Sequence, residues 1–240
     1  MTLNVNGFRG GTEVKVPDKI CLENMEKIKQ LIDGIIINKD DIIILQEVPH
    51  RIKEVGRKNW FNNPLYNKFN EIFSGYKILK PKHLLDYSMQ CTIALCKKES
   101  SWEQLKVDIL QYDNQHSYGN KFVDVELACG KLTLLGVHMP PDEDMWDLLI
   151  KSLSTKPYTY ILGDFNAYER RGEMYKKPDD IRKCGYNHLI ANNILTCYSY
   201  NSSIDNIFIK SDFTIKKNME IKVFNTKLTD HALCVLKHGY

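Results

Sequence analysis

Acidic, amide and imidazole residues stand at the ends of apolar runs throughout this chain. Tyr160-Ile161-Leu162 is closed by Gly163 and followed by Asp164 and Asn166, two apart. A short apolar run closed by Gly reads as a buried strand, and the i, i+2 spacing puts Asp164 and Asn166 on one side of an extended chain. The same arrangement recurs elsewhere. Ile42-Ile43-Ile44-Leu45 runs into Gln46-Glu47, and the run from Leu132 to Val137 ends in His138. The first short run carries Asn4 and Asn6, Asp205 opens a later run, and Asp230-His231 precedes the last. Taken singly these are ordinary: an Asp-x-Asn after a strand is an Asx-type turn, and a Glu at a strand end is a solvated one. Taken together they make a carboxylate cluster with two histidines and three amides, delivered by different strands.

Such a set suits metal-assisted hydrolysis of a phosphate ester. Mg²⁺ prefers oxygen ligands, keeps several waters and often takes only one or two carboxylates, and Glu47 is the natural ligand. Asp205 paired with His231 would hold the imidazole in one tautomer and raise its proton affinity. Asn4 and Asn166 can donate to phosphate oxygens without adding negative charge that would repel them.

The elements that must position these groups follow from periodicity. Met1–Val5 reads as a short strand. Leu22, Met25, Ile28, Ile32 and Ile35 recur at three- and four-residue spacing, which predicts a helix over 22–38. Strand, helix and strand within the opening residues resemble a βαβ unit in one sheet. Then come five strand-like runs, Tyr76–Leu79, Thr92–Cys96, Leu105–Leu110, Phe122–Leu127 and Leu132–Val137, with Cys129-Gly130 as a tight connection between the last two. Consecutive strands point to antiparallel pairing and to two sheets packed face to face. A short helix over Asp142–Leu153 precedes Tyr158–Leu162, and the chain turns weakly helical after Pro178. Leu195–Tyr200, Ile204–Ile209 and Ala232–Leu236 read as later strands, with Lys216–Phe224 a mixed candidate. No repeat or linker is visible, so residues 1–240 read as one domain.

Composition narrows the class. Apolar content of 43% and charged content of 26% are ordinary for a soluble globular chain. Seven scattered cysteines, none in a C-x-x-C pair, predict free thiols, no zinc site and a reducing, cytoplasmic setting. The N-terminus runs directly into a strand, so no signal peptide is expected, and no window is apolar enough to span a membrane. Net charge is +3, but the stretch 51–82 alone carries +6 and interleaves its Lys and Arg with Trp60, Phe61, Tyr66, Phe69, Phe73 and Tyr76. Basic residues among aromatics suit a nucleic acid. They equally describe a solvated helix whose aromatics pack on the core.

The pieces Leu3-Asn4-Val5-Asn6-Gly7, Leu45-Gln46-Glu47, Gly163-Asp164-Phe165-Asn166, Ser203-Ile204-Asp205 and Thr229-Asp230-His231 occur in the order seen in the endonuclease/exonuclease/phosphatase superfamily, which the chain resembles over residues 3–231. The resemblance implies an α/β (α+β) four-layer sandwich, two packed mixed β-sheets flanked by helices. It implies Glu47 as principal Mg²⁺ ligand, with Mn²⁺ as an alternative ion, and Asn4 as support for metal and phosphate. Asn6 falls where some members carry a metal-holding Asp, and Asp230 near a second metal position. Asp164 resembles the residue that orients or deprotonates the attacking water, Asn166 a phosphate donor, and Asp205 with His231 the dyad at the scissile phosphate. His138 falls where some branches have Tyr and others His, as a proton donor or a phosphate ligand.

The resemblance further implies a monomeric, DNA-directed phosphodiesterase similar to exodeoxyribonuclease III and the apurinic/apyrimidinic endonucleases. Repair nucleases usually carry Tyr-x-Pro-Asn where this chain has His138-Met139-Pro140-Pro141, which favours a general nuclease over a strict lesion-directed one. Arg170-Arg171 and Lys176-Lys177 add basic surface, and no apolar membrane-facing loop is expected. Hydrolysis of small phosphoesters, sugar phosphates or lipid head groups, and a non-catalytic nucleic-acid-binding module, are the alternative readings.

Overall fold

The computed structural model describes residues 1–12, 14–53, 60–84, 88–106, 118–127, 131–167, 177–191, 193–213 and 219–238. In chain order the first elements are β1 (Thr2–Asn4), α1 (Asp18–Ile35), β2 (Ile42–Pro49), β3 (Arg51–Lys53), β4 (Trp60–Asn62), α2 (Pro64–Ile72), β5 (Tyr76–Leu79), β6 (Gln90–Lys97) and β7 (Trp102–Gln104). The rest are β8 (Phe122–Leu127), β9 (Leu132–His138), α3 (Glu143–Thr155), β10 (Tyr160–Asp164), α4 (Lys177–Lys183), β11 (Tyr186–His188), β12 (Asp205–Lys210), β13 (Met219–Asn225) and β14 (Ala232–His238).

Two six-stranded sheets result, in the orders β13-β14-β1-β2-β6-β5 and β11-β12-β10-β9-β8-β7. Each is mixed in the same way. One central pair is parallel, β1 with β2 and β9 with β10, and the other pairs are antiparallel. A parallel pair needs a crossover, and α1 and α3 lie in those two connections.

Alternation along the strands builds the layers. Ile43 and Leu45 of β2 join Leu3 and the α1 residues Met25, Ile28 and Ile32 in one core. Ile42 and Ile44 point the other way, into a core shared with Leu134, Tyr160, Leu162 and Ile207 of the second sheet. Ile161 of β10 meets Met145, Trp146 and Leu149 of α3 in a third. Helix, sheet, sheet and helix therefore stack as the expected four-layer sandwich. Gly136 lets the sheets come close, since a Cβ there would sit 2.6 Å from Val123 Cγ1 in the neighbouring strand and 2.7 Å from Ile44 Cγ2 in the facing sheet.

Several boundaries differ from the sequence expectation. The first helix starts at Asp18 because Cys21 extends its buried stripe one turn earlier. It stops at Ile35, and the Asp41 carboxylate then accepts the backbone N–H of Ile37 and Asn38. The stretch after β2 forms a β3–β4 hairpin, which the sequence does not announce, and then α2, the helix that one of the two readings of 51–82 describes. Asn63 caps α2 by accepting from Leu65 N at 3.0 Å, with Pro64 at the first helical position. Tyr66, Phe69 and Phe73 are buried, so those aromatics of the 51–82 stretch are core residues and offer no face to a base. The hairpin does expose a cross-strand pair, Ile52 with Phe61, an apolar feature that was not expected.

Leu195–Tyr200 is not a strand. Thr196 Oγ1 accepts the N–H of Ile204 and of Asp205 and turns the chain, leaving Cys197 with isolated bridges to Ser202 and His231. β11 was not anticipated, and β7 ends at Gln104, ahead of the run expected from Leu105. Residues 107–110 of that run, the Cys129-Gly130 connection, Arg57, Lys58, Arg170, Arg171 and Lys176 lie outside the described residues. Among the described residues no helix is long and apolar enough to cross a membrane, and six cysteines are free thiols.

Gly163 has φ +148°, and a Cβ on it would fall 1.9 Å from the Val137 carbonyl oxygen. Gly163→Ala is expected to cost about 3 kcal/mol or more, read as a lower denaturation midpoint with an unchanged slope.

Candidate active site

The polar residues converge because the carboxyl ends of both parallel pairs meet at one end of the sandwich. Asn4 ends β1, His138 ends β9 and Asp164 ends β10, while Glu47 lies near the end of β2. Asp205 pairs with Asp164 across the antiparallel β10–β12 ladder. His231 immediately precedes β14, which runs antiparallel to β1. Open α/β sheets place ligands at such strand ends. A separate cavity of about 1160 Å³ opens by Met1, Ile42, Tyr160 and Leu236, at the opposite end, and holds none of these residues.

Glu47 is aimed by a β-bulge. Leu45 faces Ile93 and Val48 faces Cys91, so β2 carries one residue more than its partner over that step. Glu47 takes up the extra length in the left-handed region, φ +57°. Non-glycine residues are held there at a cost, most often at functional positions. Its Oε1 accepts from Asn4 Nδ2 at 3.1 Å, and its Oε2 accepts from Gln90 Nε2 at 3.1 Å, with Arg9 Nη2 at 3.7 Å.

Asn4 is the hub. Its Oδ1 accepts the backbone N–H of Asn6 at 2.9 Å, which turns the amide nitrogen toward the carboxylates. That nitrogen donates to Glu47 and, at 2.9 Å, to Asp164 Oδ2 in the other sheet. In this orientation the Asn4 nitrogen positions both carboxylates. Asp164 Oδ1 in turn accepts the Asn166 N–H at 2.9 Å. The Asx turn read from the sequence is thus present, and it serves the cluster. Asn166, also left-handed at φ +47°, donates through Nδ2 to the Met139 carbonyl at 2.8 Å and ties β10 to the end of β9.

Asp205 and His231 form the anticipated pair, with Nδ1 donating to Oδ2 at 2.8 Å. Burial opposes the charge on His231, but Asp205 overcomes it and the imidazole pKa is raised well above its ordinary value. Its Nε2 lies 3.9 Å from Asp164 Oδ2. Burial and the neighbouring Asp205 raise the Asp164 pKa, with His231 and the Asn4 hydrogen bond opposing. Asp205 Oδ1 is buried without a hydrogen-bond partner among the described residues, a spare acceptor in the cluster.

His138 is different. Burial first, and then Lys121, lower its pKa to about 3. Lys121 Nζ donates to Nδ1 at 3.0 Å, which leaves Nε2 as the protonated nitrogen, 3.7 Å from Glu47 Oε1. His138 is therefore a neutral donor, and the cation beside it is Lys121.

Asn6 and Asp230 lie further out. Asn6 Nδ2 donates to Asp230 Oδ1 at 3.0 Å and to the carbonyls of Gly10 and Thr12, while its own Oδ1 accepts from Arg9. Asn6 thereby closes the 6–12 loop and ties it to Asp230. Asp230 accepts from Asn6, Thr229 and Ser199. Sequence reasoning missed Lys121, Gln90 and Arg9. Gln90 opens a strand and Lys121 sits just before one, which was the only signal available, and Arg9 follows the Asn6-Gly7 turn.

A pH dependence follows from His138. A folded pKa below the unfolded one means that the unfolded chain takes up the proton first. His138 therefore withdraws stability as pH falls from about 6.5 toward 3. His138→Gln is expected to flatten the fall in denaturation free energy between pH 6.5 and 4, measured in urea with EDTA present. An unchanged acid limb would assign that loss to other groups.

No family model and no curated protein matches the sequence. Solved structures do match. The endonuclease domain of TRAS1, a telomere-specific non-LTR retrotransposon, superposes with TM-score 0.61 at 16% identity over 99% of this chain and 96% of that one. An endonuclease/exonuclease/phosphatase family protein from Leptotrichia buccalis gives 0.61 at 12% identity over 100% and 98%. Truncated TDP2 from Caenorhabditis elegans gives 0.55 at 15% identity over 96% and 93%. With its paired six-stranded sheets and flanking helices, this chain has the endonuclease/exonuclease/phosphatase fold.

Proposed function

We propose that residues 1–240 act as one catalytic domain, a divalent-metal-dependent phosphodiester hydrolase directed to nucleic acid, DNA foremost. The observation that carries this reading is the hydrogen-bonded line from Glu47 through Asn4 to Asp164, with the Asp205–His231 pair facing its far end. The line takes residues from both sheets and is complete within one chain, in keeping with a monomer. Free thiols are in keeping with a reducing, cytoplasmic setting.

The donor set fits a hard cation. Glu47 and Asp164 offer oxygens, Asp205 Oδ1 is an unspent buried acceptor, and one or two carboxylates suffice for Mg²⁺. Glu47 would hold the ion, with Mn²⁺ as a substitute, and a bound divalent cation supplies charge neutralisation and acidifies water.

The chain's own groups divide the remaining work. Asp164 is held by Asn4 and the Asn166 amide so that its carboxylate orients the attacking water and takes its proton, a role its raised pKa suits. His231, kept cationic by Asp205, donates from Nε2 to a phosphate oxygen and stabilises the charge that grows there. Lys121 and the neutral His138 present a second cation and an N–H donor beside Glu47.

The nucleic-acid assignment is supported by the endonuclease name of the TRAS1 neighbour and by Arg9 and Lys121 next to the carboxylates. One observation favours a second reading, a lipid head-group phosphodiester: the exposed Ile52–Phe61 pair sits on the hairpin that follows Glu47's strand.

A substrate panel with Mg²⁺, Mn²⁺ or EDTA separates these readings, using abasic, duplex and single-stranded DNA, RNA, a chromogenic bis-phosphodiester and sphingomyelin vesicles. DNA cleavage that EDTA abolishes is expected. Cleavage of nothing would remove the enzyme assignment, and cleavage of the vesicles alone would remove the nucleic-acid one. Glu47→Gln, Asp164→Asn and His231→Ala are each expected to lower turnover by roughly 10²–10⁴-fold or more with the fold intact. Lys121→Met is expected to lower it less while weakening DNA binding at low salt.

A further inference from the structure

Cys197 is fully buried beside His231. The chain reaches this place because Thr196 and Cys197 are bridged to the start of β14. Ala232 N donates to the Thr196 carbonyl at 2.7 Å, and Cys197 pairs with His231 in an isolated bridge. Cys197 Sγ is consequently 3.7 Å from His231 Nε2, the nitrogen that the hydrolytic reading aims at phosphate. Asp230 completes the group: one ligand atom each from Cys197, Asp230 and His231 lies within 4.8 Å of the others, and all three residues are buried.

The chemistry of this triad differs from that around Glu47. A thiolate, an imidazole and one carboxylate form a soft set of the kind that holds zinc and discriminates against magnesium. Three protein ligands leave the fourth tetrahedral position for water or a phosphate oxygen. Outer contacts that orient such ligands are already in place. Asp205 accepts from His231 Nδ1 at 2.8 Å, leaving Nε2 as the ligand nitrogen. Ser199 Oγ donates to Asp230 Oδ2 at 2.8 Å, and Asn6 Nδ2 to its Oδ1 at 3.0 Å. Histidine–carboxylate pairs and hydrogen-bonded carboxylates are the usual second layer of a metal site.

We propose that Cys197, Asp230 and His231 bind a thiophilic divalent cation, zinc foremost, and that filling this site switches hydrolysis off. The switch rests on the proposed function; the binding does not. Zinc displaces the protons of the Cys197 thiol and of His231 Nε2. The same nitrogen cannot ligate zinc and donate to phosphate, so the two states exclude each other.

The full chain, stripped with EDTA, is titrated with Co²⁺ as a spectroscopic stand-in and with Zn²⁺ followed by thermal melting. A near-ultraviolet thiolate-to-cobalt band and a zinc-dependent rise in Tm are expected in the wild type. Both should be lost or strongly weakened in Cys197→Ala and in Cys197→Ser, the second of which keeps the side-chain volume. With excess Mg²⁺ present, zinc is expected to inhibit cleavage and a chelator to restore it. The inhibitory midpoint should rise by roughly 10–100-fold in either variant, whose zinc-free activity is unchanged. Absence of the cobalt band in the wild type overturns the site. A cobalt band without inhibition, or equal inhibitory midpoints in wild type and variants, overturns the switch. A chain that cleaves no substrate refutes the hydrolase reading and with it the switch, while the cobalt and melting results still decide whether the site exists.

Discussion

One amide joins the two halves of the sandwich. Asn4 leaves the first sheet, and its single nitrogen donates to Glu47 in that sheet and to Asp164 in the other. Two buried or half-buried carboxylates set close together would repel, and a charge-neutral donor between them lets both stay. The hydrogen bond from the Asn6 backbone fixes which way the amide faces, so the turn after β1 sets the polarity of the whole cluster. Losing such a donor strands a buried acceptor at about 1–3 kcal/mol.

Burial disfavours the charged form of three groups of similar depth, and their neighbours then separate them. His231 has Asp205 as a partner, which overcomes burial and pushes it toward the cation. Burial, with Lys121 adding to it, pushes His138 toward the neutral form, to about 3. Burial and then the neighbouring Asp205 raise the Asp164 pKa. Neighbouring titratable groups driven in opposite directions are what acid–base chemistry at one pH requires. The division of roles comes from which side chain each strand end brings alongside, since the residue types alone do not assign it.

Much of this was legible in the sequence where period and composition agreed. The α1 stripe, the five consecutive strand-like runs and the closed run at Gly163 pointed to the layers. The polar residues that end those strands are the ones that meet. What was hidden depended on contacts distant in the chain. Lys121 carries no local mark, and its part is set by His138 in the neighbouring strand of the sheet. The loop that Asn6 closes through the carbonyls of Gly10 and Thr12 carries no sequence mark beyond the Asn6-Gly7 turn. Aromatics between lysines suit a stacking surface or a packed helix equally, and for Tyr66, Phe69 and Phe73 the core decides it, because burying each Phe is worth about 1.5–3 kcal/mol. The segment 195–200 looked like a strand, and the Thr196 hydroxyl turned it instead.

The bulge in β2 separates fold from chemistry. Ile43, Leu45 and Val48 all face the helix-side core, a spacing that an unbroken strand could not deliver from its period of two. The residue absorbed between Leu45 and Val48 is what keeps Val48 inward. Excising one residue there would restore a regular strand with Val48 still correctly placed, and the sheet would close over the gap. The Glu47 carboxylate is thus an insertion into a scaffold that stands without it. Descendants of such a chain could lose that carboxylate in a single step and still persist as folded proteins.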